Sequence, residues 1–357
     1  MVTVDILTSK HREEWDRFTS TSPEATFYHT FDWTETLRIG SGVIPSFWGL
    51  WHDGELAAIW PSCRVRAFGG NVLSTFAYCS NGAPLVKEGF DLELLPKMAT
   101  HVLESVIKRG VLHWSFDVPQ DSYFVKVAPR CGFLSALSPR CSYVVDTSDQ
   151  PEVLWKRLAS EARTAVRKAK KLELKVKDSR EPEDLQAFFS IYQSTMQRCR
   201  LAGFRDTCSL ASLLGDLVDK GRAKLFVTAD QNRIVGGIVL LLHSQVAHWW
   251  IGGSYPESWR MRPNELLLWT AIEWASKSGY HTLDLGGAPS PQTHGLNVFK
   301  RHLGGKRIEL IRLVLPVNNV RHLLASKLVN AYRMCNERGL VPAFLGDLLL
   351  KGNLWFD

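Results

Sequence analysis

The sequence has 357 residues, of which 45% are apolar and 11% aromatic, a globular composition long enough for two ordinary domains. Its 43 Lys and Arg exceed its 36 Asp and Glu by seven, and this excess favours a polyanionic ligand only if the cations are concentrated. The longest uncharged apolar stretch, Ile234 to Leu242, is about half of a membrane-spanning helix, and the N-terminus lacks a basic region followed by an apolar one, so we expect neither a transmembrane nor a secreted protein.

The seven cysteines are scattered along the chain and include no Cys-x-x-Cys pair. This pattern indicates neither a zinc ribbon nor a disulfide framework. We therefore expect a cytoplasmic protein in a reducing compartment, with no metal site.

The first recognisable unit is a series of strands followed by a helix and a returning strand. A hairpin is predicted at the Asp53-Gly54 turn, because aromatic and β-branched residues flank it on both sides. In chain order the predicted elements are the strands Phe47 to Trp51, Glu55 to Val65 and about Val72 to Tyr78, a helix from about Asp91 to Lys108, Gly110, and the strand Val111 to Phe116.

A strongly basic segment comes next. Seven cations and one acid lie between Lys156 and Lys171, and the apolar residues recur at three- and four-residue steps. We predict one helix here, capped by Ser148 or Asp149 and with Pro151 in its first turn. Its Arg163, Arg167 and Lys170 share one face, because they are spaced i, i+4 and i+7. Like charges at this spacing repel by a few tenths of a kcal/mol, which a bound anion would relieve.

The order of elements seen in the first unit then recurs. Strands are predicted at Ala223 to Ala229, Ile234 to Leu242 and Gln245 to Gly252, followed by a helix from Asn264 to Ser278, Gly279, and the strand Tyr280 to Leu285. Each copy places a hairpin-led sheet before a helix and a returning strand. The repeat predicts an α/β protein with mixed sheets and two similar tandem units, in which Gly110 and Gly279 are equivalent.

Two features remain near the C-terminus. A second basic stretch contains Lys300, Arg301, Lys306, Arg307 and Arg312, and it is expected to meet the first basic segment in one groove. The tail from Asn318 to Arg338 has the pattern of an amphipathic helix, which either packs on its own domain or contacts a membrane surface.

Six stretches of this sequence, in order along nearly the whole chain, resemble the FemAB family. They are Ser22 to His29 with Trp33, Gly82 to Leu85, Arg163 to Lys171, Pro263 to Trp269, Leu283 to Gly287, and Gly295 to Lys300 with Gly304-Gly305. The resemblance implies two tandem GNAT-like (N-acetyltransferase-like) domains, at residues 1–147 and 148–317, followed by a helical tail at 318–357. It also implies amide-bond formation, with transfer of an amino acid from aminoacyl-tRNA to the amine of a peptidoglycan precursor that carries a nucleotide or lipid diphosphate.

The same resemblance implies the site residues. Phe299-Lys300 matches the family's Phe-Lys pair, whose lysine stabilises negative charge during acyl transfer, while Arg163 and Arg167 match arginines that lie by the acceptor's diphosphate. Lys170, Trp33 and Arg38 are further expected substrate-binding residues. The residues agree in chemical terms, because aminolysis of an ester passes through an oxyanion that an ammonium group stabilises by on the order of 3 kcal/mol.

Asp284 is the candidate for orienting or deprotonating the acceptor amine, although an aspartate before Gly286-Gly287 is also typical of a turn. The sequence departs from its relatives after Gly82-Ala83-Pro84-Leu85-Val86, where Lys87 replaces an acidic residue implicated near the acceptor amine. The identity of the acceptor therefore stays open.

Three classes of function remain. The pyrophosphate loop of CoA-dependent acetyltransferases is missing between Trp250 and Glu265, so aminoacyl-tRNA is favoured over acyl-CoA as donor, and no tightly bound cofactor is expected. Serine hydrolase, zincin and Walker A motifs are also missing. The alternatives to a FemAB-like aminoacyltransferase are an acyl-CoA-dependent N-acyltransferase on the same fold and a non-catalytic binder of RNA or anionic lipid.

Overall fold

A computed structural model describes residues 1–41, 43–67, 70–75, 81–107, 109–199, 207–289, 295–317 and 327. The chain forms two compact units. Unit 1 comprises residues 1–38, 42–138 and 310–357, and unit 2 comprises residues 39–41 and 139–309.

Strands and helices occur along the whole described chain. Up to residue 146 they are β1 (Val2–Leu7), α1 (Arg12–Thr21), α2 (Phe31–Ser41), β2 (Ile44–His52), β3 (Glu55–Ala67), β4 (Gly70–Ser74), β5 (Leu85–Val86), α3 (Leu95–Ile107), β6 (Val111–Pro119), α4 (Phe124–Val127) and β7 (Leu134–Asp146). The remainder are α5 (Pro151–Arg157), α6 (Ser160–Lys171), β8 (Lys175–Ser179), α7 (Pro182–Arg198), α8 (Thr207–Asp219), β9 (Ala223–Asp230), β10 (Arg233–His243), β11 (Val246–Ser254), α9 (Pro263–Lys277), β12 (Thr282–Pro289), α10 (Gly295–His302) and β13 (Lys306–Pro316).

Unit 1 is built on a mixed sheet with strand order β1-β2-β3-β4-β6-β13. All neighbours are antiparallel except β4 and β6, which run parallel. The predicted turn connects β2 and β3, with Asp53 at φ 51° and Gly54 at φ 85°. One face of the sheet buries a cluster of aromatic rings around Trp60 and Trp114, against which α3 packs through residues such as Met98. This aromatic core is the main apolar burial of unit 1.

Unit 2 repeats this arrangement. Its strand order is β8-β9-β10-β11-β12-β7, and the neighbours are antiparallel except β11 and β12. Helix α9 packs on the sheet through Leu267, Ala271 and Ile272, which are at most 1% exposed. The mixed-sheet α/β fold class and the two similar units expected from the sequence are confirmed.

Gly110 and Gly279 occupy the same place in the two units. Each follows the long helix, α3 or α9, and precedes a strand that pairs in parallel with an earlier strand of the same unit, β4 or β11. Their φ angles are 66° and 80°, a left-handed conformation that ends a helix readily when the residue is glycine. The predicted equivalence of the two glycines agrees with this arrangement.

The last strand of each sheet comes from the end of the other repeat. Residues 310–316 of β13 pair with β6 of unit 1, and residues 140–146 of β7 pair with β12 of unit 2. The chain therefore passes from one unit to the other within these two strands, whereas the sequence-based boundaries lie at residues 147 and 317. Neither strand is among the elements predicted from the sequence.

The predicted basic helix from Pro151 to Lys171 is wrong as a single element. The structure divides it into α5 and α6, because Leu158 and Ala159 are extended with ψ angles of 144° and 155°. The Ala159 N–H donates to the carbonyl of His302 at 2.9 Å, so a tertiary hydrogen bond replaces a helical one. The residue before the helix is Gln150, not Ser148 or Asp149.

None of the helices in the described part of the chain combines the length and apolarity of a membrane-crossing segment. The predicted tail helix, apart from Lys327, and the end of the strand predicted at Val72 to Tyr78 lie outside the described residues.

Candidate active site

Lys300 is buried beside Gly286 and Gly287 of β12. It lies on α10 with its side chain directed back toward the preceding strand, and its ammonium donates to the carbonyls of Gly286 and Gly287, both at 2.8 Å. Only 2% of the residue is exposed. The Lys300 side chain is therefore held in one place inside unit 2.

The two glycines make room for this arrangement. Gly286 has φ 74°, and the pairing of β12 with β7 shifts register between Asp284 and Gly286, which marks a bulge. A Cβ atom on Gly287 would lie 2.5 Å from the Nη2 atom of Arg140, so that guanidinium packs directly over the glycine. The Gly-Gly step thus accommodates two cations, Lys300 and Arg140.

The Lys300 ammonium lies close to the place where the parallel strands β11 and β12 stop pairing. Strands β11 and β12 are paired only from Val246 to His248 and from Thr282 to Asp284. The next residue of β11, Trp249, places its ring centre 5.4 Å from the Lys300 ammonium. The ammonium therefore lies beside both strands just beyond their last pair.

Asp284 is held by three groups at the same place. Its carboxylate accepts the Gly286 N–H at 2.7 Å and the Ser142 hydroxyl at 3.3 Å, and its Oδ2 lies 3.4 Å from Nδ1 of His248. Burial raises the pKa of this carboxyl, but hydrogen bonds from His248 and Gly286 and the charge of Lys300 outweigh burial, so its pKa is lowered overall. Asp284 thus forms the turn and also supplies a buried negative charge beside Lys300.

The charge state of Lys300 is finely balanced. Burial lowers the pKa of Lys300, Asp284 and Cys141 partly oppose this effect and Arg140 adds to it, so that the pKa falls to about 7. A lysine with a pKa near neutrality can exist in either protonation state at physiological pH. Such perturbed groups are concentrated at functional sites.

Phe299, the other member of the predicted pair, packs against the apolar core of unit 2. It is half-buried, next to the buried Lys300. Its ring therefore anchors α10 to the core and helps to fix the lysine.

The three predicted cations of α6 differ in their surroundings. Arg163 donates through Nη1 to the carbonyls of Leu158 and, at 3.2 Å, Lys156, which lie at the end of α5. Arg167 is exposed, with its guanidinium 5.5 Å from the ring centre of Trp155, and Lys170 is exposed. Within the described ranges, neither Arg167 nor Lys170 forms an ion pair, so both are available to an anion.

The two basic segments meet, as expected from the sequence. The Ala159 to His302 hydrogen bond joins the start of α6 to the end of α10. Beside it is a cavity of about 100 Å³ whose lining includes Arg157 from the first segment and Lys306 from the second. Its other walls are formed by Val144, Val145, Asp146, Leu154, Ile272, Leu303 and Gly304.

Trp33 and Arg38 are residues of unit 1. Trp33 is fully buried, in edge contact with Phe27 and Tyr28, and Arg38 is exposed and pairs with Glu35 at 2.7 Å. The structure thus gathers Asp284, Phe299 and Lys300 in unit 2. The substrate-binding roles of Trp33 and Arg38 stay predictions.

Sequence reasoning missed Arg140, Ser142 and His248. The first two lie on β7, which carries no chemical motif, and His248 is a single histidine within an apolar strand. The parallel pairing of β11 and β12 places His248 opposite Asp284, so a predicted pairing of these two strands could have indicated His248. No three His, Cys, Asp or Glu side chains among the described residues are grouped so as to hold a metal ion.

The connection before α9 differs from a CoA diphosphate loop. It is a short 3₁₀ helix, Pro256–Met261, and it ends at Arg262 with φ 64°. The first residue of α9 is Pro263, which has no N–H, and Glu265 in the first turn pairs with Arg262 at 3.2 Å. A carboxylate therefore lies where the helix dipole would favour a phosphate.

Residues 156–301 match the family described as "Acetyltransferase (GNAT) domain". No curated protein matches the sequence. The matched segment includes α6, strands β8 to β12 and α10 through Lys300, so Asp284, Phe299 and Lys300 lie within the part of the chain that matches a GNAT domain.

Solved structures similar to this chain share its fold over most of its length. FemX has a TM-score of 0.68 and 17% identity, covering 90% of this chain and 99% of that chain. L-PGS from Bacillus licheniformis has a TM-score of 0.59 and 11% identity, covering 91% and 96%. A tandem GNAT protein from the clavulanic acid biosynthesis pathway has a TM-score of 0.57 and 12% identity, covering 89% and 99%.

These similarities confirm the FemAB resemblance at the level of fold. The chain has the tandem GNAT fold, an acyltransferase fold, and it shares that fold with FemX.

Proposed function

We propose that this chain is an N-acyltransferase of the FemAB kind that transfers an aminoacyl group from aminoacyl-tRNA to an amine. The acceptor is a peptidoglycan-type precursor, or another molecule linked to a nucleotide or lipid diphosphate. The observation that carries the proposal is the buried Lys300 ammonium, held on the Gly286 and Gly287 carbonyls at the point where β11 and β12 stop pairing.

An ammonium at this position suits amide formation from an ester. Attack of an amine on the ester carbonyl gives a tetrahedral intermediate with a negatively charged oxygen. Lys300 is fixed before substrate binds and is shielded from water, so its interaction with that oxygen needs little reorganisation. The interaction is stronger in the transition state than in the ground state, which is the condition for a faster chemical step.

The start of α9 supports an RNA-borne donor over acyl-CoA. Pro263 removes one backbone N–H from the helix terminus, and the Glu265 carboxylate repels a diphosphate there. An aminoacyl-tRNA has no diphosphate to place at this terminus.

The exposed cations of α6 support a diphosphate-bearing acceptor. Arg167 and Lys170 are one turn apart on the exposed side of α6, and no described carboxylate pairs with either. A diphosphate accepts charge-assisted hydrogen bonds from such groups, and it would relieve their mutual repulsion.

The test compares donors directly. Purified protein is incubated with tRNA charged with radiolabelled amino acids, or with radiolabelled acetyl-CoA, and with amine acceptors that carry or lack a diphosphate. We expect label from tRNA on the diphosphate-bearing acceptor, and transfer about a hundredfold slower with the Lys300→Ala variant. Label from acetyl-CoA alone would replace the proposal with a CoA-dependent N-acyltransferase. Binding of RNA or anionic vesicles without any transfer would identify a binder.

The cations of α6 should separate into two kinds on mutation. Arg167→Ala and Lys170→Ala should each raise the acceptor KM severalfold while leaving the melting temperature nearly unchanged, because both side chains are exposed. Arg163→Ala should lower the free energy of unfolding by about 1 kcal/mol, since it leaves carbonyls at the end of α5 without their donor. Acceptor kinetics and thermal melts of the three variants provide the measurement.

Lys171→Ala, an exposed cation at the end of the same helix, is the matched control. An unchanged acceptor KM in both Arg167→Ala and Lys170→Ala would remove the diphosphate role from this face.

A further inference from the structure

The hydrogen bonds of Lys300 leave one position on its nitrogen unused. A lysine nitrogen has four tetrahedral positions, of which one bonds to carbon. Two N–H groups donate to Gly286 and Gly287. Among the described residues, no third acceptor and no ion-paired carboxylate engages Nζ. The remaining position carries an N–H when the lysine is charged and a lone pair when it is neutral.

We propose that Lys300 donates this proton to the leaving oxygen of the acyl donor and that Arg140 and Asp284 are positioning residues that set its readiness to do so. The proposal deepens the aminoacyl transfer proposed above and rests on it. It assigns Lys300 a proton-transfer step in addition to charge stabilisation, and it gives Arg140 a role.

The atoms balance without any further reactant. The acceptor nitrogen forms a bond to the ester carbonyl carbon, and the carbonyl oxygen becomes negative. As the intermediate collapses, the bond between carbon and the ribose oxygen breaks, and that oxygen takes the free proton of Lys300. The neutral lysine then takes the surplus proton from the nitrogen of the new amide. The net products are one amide and one hydroxyl, and Lys300 is again charged.

Proton donation requires an ammonium that can give up its proton near neutral pH. An unperturbed lysine, with a pKa near 10.4, is a weak acid at this pH. Burial and the neighbouring Arg140 cation both weaken the hold of Lys300 on its proton, while Asp284 strengthens it, and the resulting pKa is about 7. The lysine is thus tuned toward the pH at which donation and recovery of a proton are both efficient.

Arg140 approaches Lys300 across the Gly-Gly step. Its guanidinium lies against Gly287, whose carbonyl accepts from Lys300. Arginine stays charged at every accessible pH, so this repulsion is constant. On the other side, His248 holds the Asp284 carboxylate near Lys300.

The titratable and charged groups around Lys300 come from several elements. They are Arg140 and Cys141 on β7, Asp284 on β12 with His248 on β11 behind it, the Arg307–Glu309 pair on β13 flanking Cys141, Arg301 and His302 on α10 itself, and Glu161 on α6 close to His302. Of these, Asp284, Arg140 and Cys141 are the groups whose charges shift the pKa of Lys300. Asp284 and Arg140 are therefore the groups whose removal should move its pKa.

The first experiment follows kcat for aminoacyl transfer against pH. Because the proposal needs a charged Lys300, turnover should fall above its pKa. Arg140→Gln removes a cation that lowers this pKa. The alkaline limb of the profile, which is the range of pH over which kcat falls, should therefore move to higher pH by about half a unit or more. Arg301→Gln, which removes an exposed charge of the same helix, should leave the limb in place. An unmoved limb in Arg140→Gln would overturn the role of Arg140.

The second experiment changes the leaving oxygen. The same aminoacyl group is placed on the 3′ oxygen of RNA ending in 2′-deoxyadenosine or in 2′-deoxy-2′-fluoroadenosine, since the fluorine makes the 3′ oxygen a better leaving group. Lys300→Arg keeps the charge but holds its proton too tightly to donate it. We expect its loss of kcat to be at least several times smaller with the fluoro donor. An equal loss with both donors would show that Lys300 acts through charge alone.

A measurement without substrates separates failure of this proposal from failure of the proposed function. The ¹⁵Nζ resonance of Lys300 is assigned by its absence from the Lys300→Arg variant. The midpoint of its pH titration should lie near neutral pH in the wild type and at higher pH in Arg140→Gln. A midpoint above pH 10 would overturn the proton-donor role, whatever the donor. Normal titration in a protein that transfers nothing from any aminoacyl-tRNA would overturn the proposed function and, with it, the step assigned to Lys300.

Discussion

Replacing Lys300 with alanine should lower kcat and kcat/KM for acyl transfer together, by about a hundredfold or more. The ammonium meets negative charge that develops mainly in the transition state, so its loss affects the chemical step more than substrate binding. The acceptor KM should change little. Steady-state kinetics with the authentic donor and acceptor provide the measurement.

Two comparisons make this result specific to Lys300. Arg301→Ala removes the neighbouring exposed cation of α10 and should retain most of the turnover. Lys300→Arg should also lose turnover, because its guanidinium keeps the positive charge beside the two carbonyls but cannot give up a proton near neutral pH. Thermal melts of each variant exclude a loss through unfolding. Near-normal turnover in a folded Lys300→Ala protein would refute the role of the lysine.

The same lysine should make the wild-type protein more stable as the pH rises from about 7 toward 10. Folding lowers the pKa of Lys300 from 10.5 to about 7, so between these values the unfolded chain binds a proton that the folded chain does not. Stability increases with pH wherever the unfolded state binds more protons. The cost of burying the charge is fully present below the folded pKa and disappears above the unfolded one, a change on the order of a few kcal/mol.

Lys300→Met isolates this contribution, because methionine fills similar space and does not titrate. Denaturant unfolding of both proteins at several pH values gives the difference in their free energies of unfolding. That difference should shift in favour of the wild type between pH 7 and 9.5. A constant difference would mean that Lys300 keeps an ordinary pKa in the folded protein.

Local patterns in the sequence were sufficient to predict those turns and helix ends that depend on a particular residue type. The hairpin at Asp53-Gly54 and the end of α9 at Gly279 depend on backbone conformations that few residues adopt readily. The break between α5 and α6 could not be found in this way, since Leu158 continues the apolar spacing of a helix. It arises because a distant carbonyl, that of His302, takes the Ala159 N–H.

The residues of the candidate site that are close together in sequence could be predicted, and those that are distant in sequence could not. Asp284 and Lys300 are only sixteen positions apart, within motifs that resemble a known family, and the structure places both by the Gly-Gly step. Arg140 and Ser142 reach the site through β7, whose partner strand is more than a hundred residues away in sequence. Strand pairing over such a separation depends on the whole sheet and leaves no local signature.

The exchange of terminal strands determines when unit 1 can be completed during synthesis. The ion pair between Arg312 of β13 and Asp117 of β6 joins residues 195 positions apart. At typical translation rates, roughly ten to forty seconds pass between the emergence of these two residues from the ribosome. During that interval β6 has no β13 partner, and an unpaired strand edge is a template for aggregation. A nascent chain that has not reached β13 therefore exposes an open edge of the unit 1 sheet, and a fragment that ends before residue 310 would lack that strand of unit 1.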